Sequence, residues 1–213
     1  MTLGVQVPTP PTILLALDDA MTLAKRRLGQ TRMTVSALGL GAGPLGDPKL
    51  SDNDATRLLH EAVAGGINVL DTAPSYGASE SRIGRFLGAI TPSQRDALVI
   101  ATKGGYGVEG TPDWTPDVIT RGIDQALRRL DTDHVDVFLL HSCPLERLTR
   151  GDLLEPLMLA KRAGKARAVG YSGDGAALTW ALDCAAFDVD RQNLGRLRAA
   201  GIPYVSVCLH PTT

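Results

Sequence analysis

Paired cysteines, a basic excess and long apolar runs are all missing from this chain, and each absence narrows what it can be. Its three cysteines, Cys143, Cys184 and Cys208, lie far apart and form no CxxC pair. Neither a disulfide framework nor a zinc ribbon is therefore expected. Free thiols suit a reducing compartment, so a cytoplasmic location is expected. A formal net charge of −1 leaves no cationic surplus to neutralise phosphates, which argues against a nucleic-acid surface. No run approaches the ~18 apolar residues of a membrane span. The apolar stretch Ile13–Leu17 follows Pro8, Pro10 and Pro11, has no basic residue before it, and stops at Asp18 and Asp19. That is not the pattern of a secretory signal. Nucleotide-binding loops are absent too. Gly39-x-Gly41 meets Pro44 where the third glycine of G-x-G-x-x-G should stand, and no G-x-x-x-x-G-K-[ST] string occurs.

What is present is an alternation. Four apolar, strand-like runs each end on a polar residue: Ile67–Leu70 on Asp71, Leu98–Thr102 on Lys103, Val137–Leu140 on His141, and Ala168–Tyr171 on Ser172. Helical patterns separate them. Ser51 with Asp54 opens one helix and Gly65-Gly66 closes it. Ser79 begins a short second helix, and Thr115 caps a third that Pro116 opens. Asp152 and Glu155 start a leucine-rich helix, and Ala176–Cys184 forms the next. Thr34–Leu40 reads as a first strand, Phe187–Val189 as a sixth, Gln192–Ala200 as a helix and Tyr204–Leu209 as a seventh strand. Strands joined in this way run parallel and gather their C-terminal ends on one side, where α/β folds carry their chemistry. The 213 residues, 44% hydrophobic and 21% charged, suit one domain. The fold expected is an α/β barrel of the (β/α)8 TIM type, incomplete at about seven strands, since a full barrel uses about 250 residues. Residues 1–24 read as an appended arm whose role is not legible, and 25–213 as the barrel domain.

Asp71-Thr72-Ala73-Pro74-Ser75-Tyr76-Gly77, taken with Lys103 and His141, resembles the aldo/keto reductase family. The acid, tyrosine, lysine and histidine come in that family's order with similar gaps, and the likeness runs from about Arg26 to about Val189. The resemblance implies that Asp71, Tyr76, Lys103 and His141 form a catalytic tetrad. It also implies that hydride comes from NADP(H), that Ser172 and Asp71 lie at the cofactor, and that the substrate is a small aldehyde or ketone reduced to an alcohol. The residue types suit the task. Hydride reduction puts negative charge on oxygen, and Tyr76 could supply the proton, although a free phenol has a pKa of about 10. A neighbouring ammonium such as Lys103 eases its release, and Asp71 would keep that ammonium charged. His141 would hold the substrate oxygen as an oxyanion donor does.

Taken singly, these residues have plainer readings: a capping Asp71, a loop Tyr76, a solvated Lys103, a hydrogen-bonded His141, a turn hydroxyl at Ser172. His141-x-Cys143 lacks a third ligand, so no metal is expected. The chain also departs from the family. Gly173-Asp174 follows Ser172 where the family has Asn, and Asp190 passes straight into Arg191-Gln192-Asn193. Val207 and Cys208 stand where an aromatic or basic residue is usual. The eighth strand and the region binding the 2′-phosphate are expected to be missing, with weak NADPH binding as a consequence to check. A truncated product, closure by homo-oligomerisation and the N-terminal arm as a plug stay open as alternatives. A non-catalytic remnant acting as a binding domain and a Schiff-base lyase using Lys103 stay open as alternatives.

Overall fold

The computed structural model describes residues 23–28 and 31–188. The expected helix at Gln192–Ala200, the strand at Tyr204–Leu209, and all but the last two residues of the proposed arm lie outside them. Five strands make one parallel sheet in sequence order: β3 (Leu40–Gly41), β4 (Val69–Asp71), β5 (Val99–Gly104), β6 (Val135–His141) and β7 (Ala166–Ser172). Helices α1 (Asp52–Ala64), α2 (Ser79–Ala89), α4 (Pro116–Leu130), α6 (Leu154–Arg162) and α7 (Gly175–Asp183) connect or follow them. This is the α/β arrangement of an incomplete (β/α)8 barrel. Every residue of β5 is buried, as expected for a parallel strand covered on both faces.

Local chemistry sets the helix ends. The Ser51 side chain accepts the Asp54 N–H at the start of α1, and Thr115 accepts that of Val118 at the start of α4, where Pro116 opens the helix. The outward faces of the strands supply Leu70, Ile100, Phe138, Leu140 and Val169. These pack against Leu59, Phe86, Ile119, Ile123 and Leu157 in the main core.

A hairpin of β1 (Lys25–Arg27) and β2 (Thr34–Ser36) covers the other end of the sheet. Its Met33 and Val35 form a second buried cluster with Val99 and Ala168, flanked by Val69 and Val137, which are residues at the N-terminal ends of the parallel strands. Asn68 pins the hairpin there. Its amide donates to the carbonyls of Thr34 and Ala97 and accepts the Ser36 N–H at 2.6 Å.

Four details differ from the sequence expectation. Thr34–Leu40 is not one strand. The Ser36 hydroxyl donates to the Leu38 carbonyl at 2.6 Å, and this turn hands the chain from the hairpin to the parallel sheet. Phe187 lies in a bend and Asp188 in no regular element, while Val189 lies outside the described residues. Asp188 still meets β7, its N–H donating to the Val169 carbonyl and its carboxylate accepting the Val169 N–H. A side chain thus stands in for a strand carbonyl. Helix α6 begins at Leu154, after Gly151 turns with φ +76°. Two short helices, α3 (Pro92–Asp96) and α5 (Leu145–Leu148), carry no apolar stripe long enough to be read from sequence.

Candidate active site

Strand register decides which side chains share a face. Asp71 pairs with Ala101, Ala101 with Val137, and Val137 with Ala168. Two residues further on, Lys103 pairs with Leu139 and Leu139 with Gly170; two further again, His141 pairs with Ser172. Alternation by two keeps Asp71, Lys103, His141 and Ser172 on one face of the sheet at rising levels. The sequence placed these four at strand ends, and the structure gathers them at one end of the sheet.

Lys103 sits at the centre and is only 4% exposed. Its ammonium donates to Asp71 Oδ1 at 2.9 Å, to the Thr72 carbonyl at 2.9 Å and to the Tyr76 hydroxyl at 3.4 Å. An ammonium has three N–H groups, and all three are taken. Tyr76 is half-buried on the loop after β4. Its N–H donates to the Ala73 carbonyl, and its own carbonyl accepts the Ser79 N–H. That loop is wedged against Gly46, where an added Cβ would lie 1.6 Å from the Tyr76 carbonyl oxygen. No residue larger than glycine fits there without moving Tyr76.

His141 lies edge-on to Tyr76, with ring centroids 6.0 Å apart at 90°. Burial holds its pKa below the ordinary imidazole value, the positive charge of Lys103 adds to this, and Asp71 opposes it. The ring is therefore neutral near pH 7. Its Nδ1 is 2.9 Å from the hydroxyl of Tyr106, and the two rings stack with centroids 5.5 Å apart. Tyr106 in turn packs against Trp114. Trp114 adopts the left-handed backbone region at φ +57°, a conformation costing an L-residue about 1–2 kcal/mol. The indole presses on Gly105, where a Cβ would lie 2.1 Å from its ring. Neither Tyr106 nor Trp114 stood out in the sequence. The available signal was an aromatic three residues past a strand-ending lysine, on a glycine-rich loop at the C-terminal face.

Ser172 is half-buried and its carbonyl accepts the Ser142 N–H at 2.7 Å. Cys143 is buried, and burial pushes its thiol up to about 11, which makes it a poor nucleophile. Among the described residues no group of three or more His, Cys, Asp or Glu could hold a metal ion, and no helix is long and apolar enough to cross a membrane.

An ammonium bridging a carboxylate and a phenol, beside a neutral imidazole, can deliver a proton to an oxygen and stabilise charge left behind. None of these groups can deliver a hydride, so reduction here needs a separate two-electron donor. The sequence model of the aldo/keto reductase family matches residues 37–193. The chain is 36% identical over 154 residues to L-galactose dehydrogenase of Arabidopsis thaliana, covering 70% of this chain and 48% of that protein. It is 33% identical over 170 residues to 6-dehydroglucose reductase of Novosphingobium aromaticivorans, covering 73% and 53%. A crystal structure from Pseudomonas aeruginosa assigned to the aldo-keto reductases superposes with a TM-score of 0.69 at 32% identity, covering 84% of this chain and 76% of that one. The chain spans about half the length of the curated relatives it matches.

Proposed function

The chain belongs to the aldo/keto reductase family of oxidoreductases, and on that premise we propose that it reduces small aldehydes or ketones to alcohols with NADP(H), Tyr76 giving the proton. The observation that carries the reading is the Lys103 ammonium, bonded at once to Asp71 and to the Tyr76 hydroxyl. The donor set fits a nicotinamide cofactor, because proton delivery and oxyanion binding are provided and hydride is the missing part. Ser172, at the same level of the sheet as His141, would hold the carboxamide, with Asp71 on the same face. When bound, the reduced nicotinamide supplies hydride to the carbonyl carbon.

The residues of this chain then act on the oxygen. His141 orients it by hydrogen bonding while the C=O bond gains negative charge. The Tyr76 O–H bond breaks, its proton goes to that oxygen, and the phenolate left behind faces the Lys103 ammonium. Asp71 keeps the ammonium in place. The names of the two curated relatives both refer to sugars, which favours a polyhydroxylated carbonyl compound as substrate.

The Schiff-base alternative needs a free amine lone pair on Lys103. With three acceptors around a nearly buried ammonium, that reading is disfavoured. Replacing Tyr76 with Phe tests the reductase directly. Turnover should fall ~10²-fold or more, the range for losing an acid catalyst, with NADPH affinity unchanged in a titration. A Tyr76→Phe protein as active as the parent removes the assignment.

A further inference from the structure

We propose that Tyr106 fixes the tautomer of His141, donating its hydroxyl proton to Nδ1 so that Nε2 keeps the ring hydrogen that a carbonyl oxygen can accept. The consequence for carbonyl reduction rests on the function proposed above; the tautomer itself does not. A neutral imidazole bears one N–H, and the hydrogen bond at one ring nitrogen decides which nitrogen carries it. Here Nδ1 has the Tyr106 hydroxyl at 2.9 Å. Among the described residues nothing hydrogen-bonds Nε2. The Tyr106 oxygen has a second neighbour, the Ser75 hydroxyl at 3.4 Å. In that longer contact the Tyr106 hydroxyl is again the donor. A phenol has one proton, and the imidazole nitrogen at 2.9 Å is the closer and more basic acceptor, so the proton is directed to Nδ1. Burial keeps the imidazole neutral, which makes the choice of tautomer matter.

The loop after β5 is built around this one ring. The Trp114 N–H donates to the Gly105 carbonyl at 2.7 Å, and the Gly107 N–H donates to Asp113 at 3.0 Å. Arg147 of α5 donates to the Trp114 carbonyl. A bulky residue held at positive φ persists only where its surroundings over-determine it, and here they hold Trp114 against Tyr106 in an edge-type contact, ring centroids 5.5 Å apart at 60°. Tyr106 is thus a positioning residue: its ring stacks on His141 and its hydroxyl sets the imidazole proton.

Long-range 1H–15N correlation spectra of the labelled, cofactor-free protein read the tautomer, with His141→Gln assigning the signals. In the neutral imidazole the parent should show a protonated Nε2 and a bare Nδ1. Tyr106→Phe, which keeps the ring stack, should shift the tautomer ratio toward Nδ1–H by about threefold to tenfold. Its kcat for carbonyl reduction should fall by a similar factor, with little change in KM for NADPH. A protonated Nδ1 in the parent, or an unchanged tautomer in the variant, overturns the proposal. The expected tautomers in a protein that reduces no carbonyl would support the proposal and remove the reductase reading instead.

Discussion

His141 is held neutral by burial, and the sign of that effect sets how the protein responds to acid. Its ordinary value of 6.5 describes the unfolded chain, while the folded value lies lower. Between the two, the unfolded state binds the proton that the native state refuses, so unfolding gains on acidification. The contribution is complete above pH 6.5 and is lost as pH falls through the folded value. Thermal midpoints measured as pH drops below 6.5 should therefore decline more steeply for the parent than for His141→Gln, which cannot take the proton. Parallel curves would show that burial does not govern this ring. The residues legible in the sequence were those whose type changes abruptly at the end of an apolar run, Asp71, Lys103, His141 and Ser172, and Tyr76, which the Asp71–Gly77 string and its family resemblance singled out. Tyr106 was not legible, because its contact with His141 depends on a left-handed Trp114 and no propensity announces that conformation.

Between elements, the same contrast separates strands from their connections. The ends of β4 to β7 follow from burial, complete along β5 and broken in the others by half-buried positions and the exposed Arg167, which favours apolar sequence up to the point where the chain leaves the core. The split of Thr34–Leu40 rests instead on a single hydroxyl of Ser36 turning onto Leu38, and alternation cannot foresee it. Gly46 belongs to this middle scale as well, since it lies in the short 3-10 turn Pro44–Gly46 that faces the Tyr76 loop. Gly46→Ala should push that loop outward, because the new methyl group meets backbone, the Tyr76 carbonyl. We expect a cost of about 1–3 kcal/mol, typical of overpacking, in urea unfolding. Activity should fall more than stability explains, as Tyr76 leaves Lys103. A fully active, equally stable Gly46→Ala protein would mean the loop yields freely.

Over the whole molecule, stability and chemistry occupy opposite ends of the sheet. Asp136 is fully buried near the start of β6 and accepts from Arg95, from Arg167 of β7 and from the Ile100 N–H of β5. One carboxylate thus ties three strands and α3 together. Removing it leaves Arg95 without its buried counter-charge, which costs about 3–5 kcal/mol. Asp136→Ala should show that loss in urea unfolding, while the protein that remains folded keeps its turnover. A loss of turnover at constant folded fraction would show that the two ends are coupled.

The rising register of Asp71, Lys103 and His141 also governs how such a chain can change length. Asp71 and His141 close their strands and Lys103 stands one residue before the end of β5, so residues added to or lost from one connecting loop leave the other two where they are. Inside a strand the unit of change is two. Deleting one residue between Val99 and Lys103 would turn the ammonium toward the helices, and deleting two would keep its direction but lower it by about 6.6 Å at 3.3 Å per residue. Insertions and deletions compatible with this site are therefore confined to its loops.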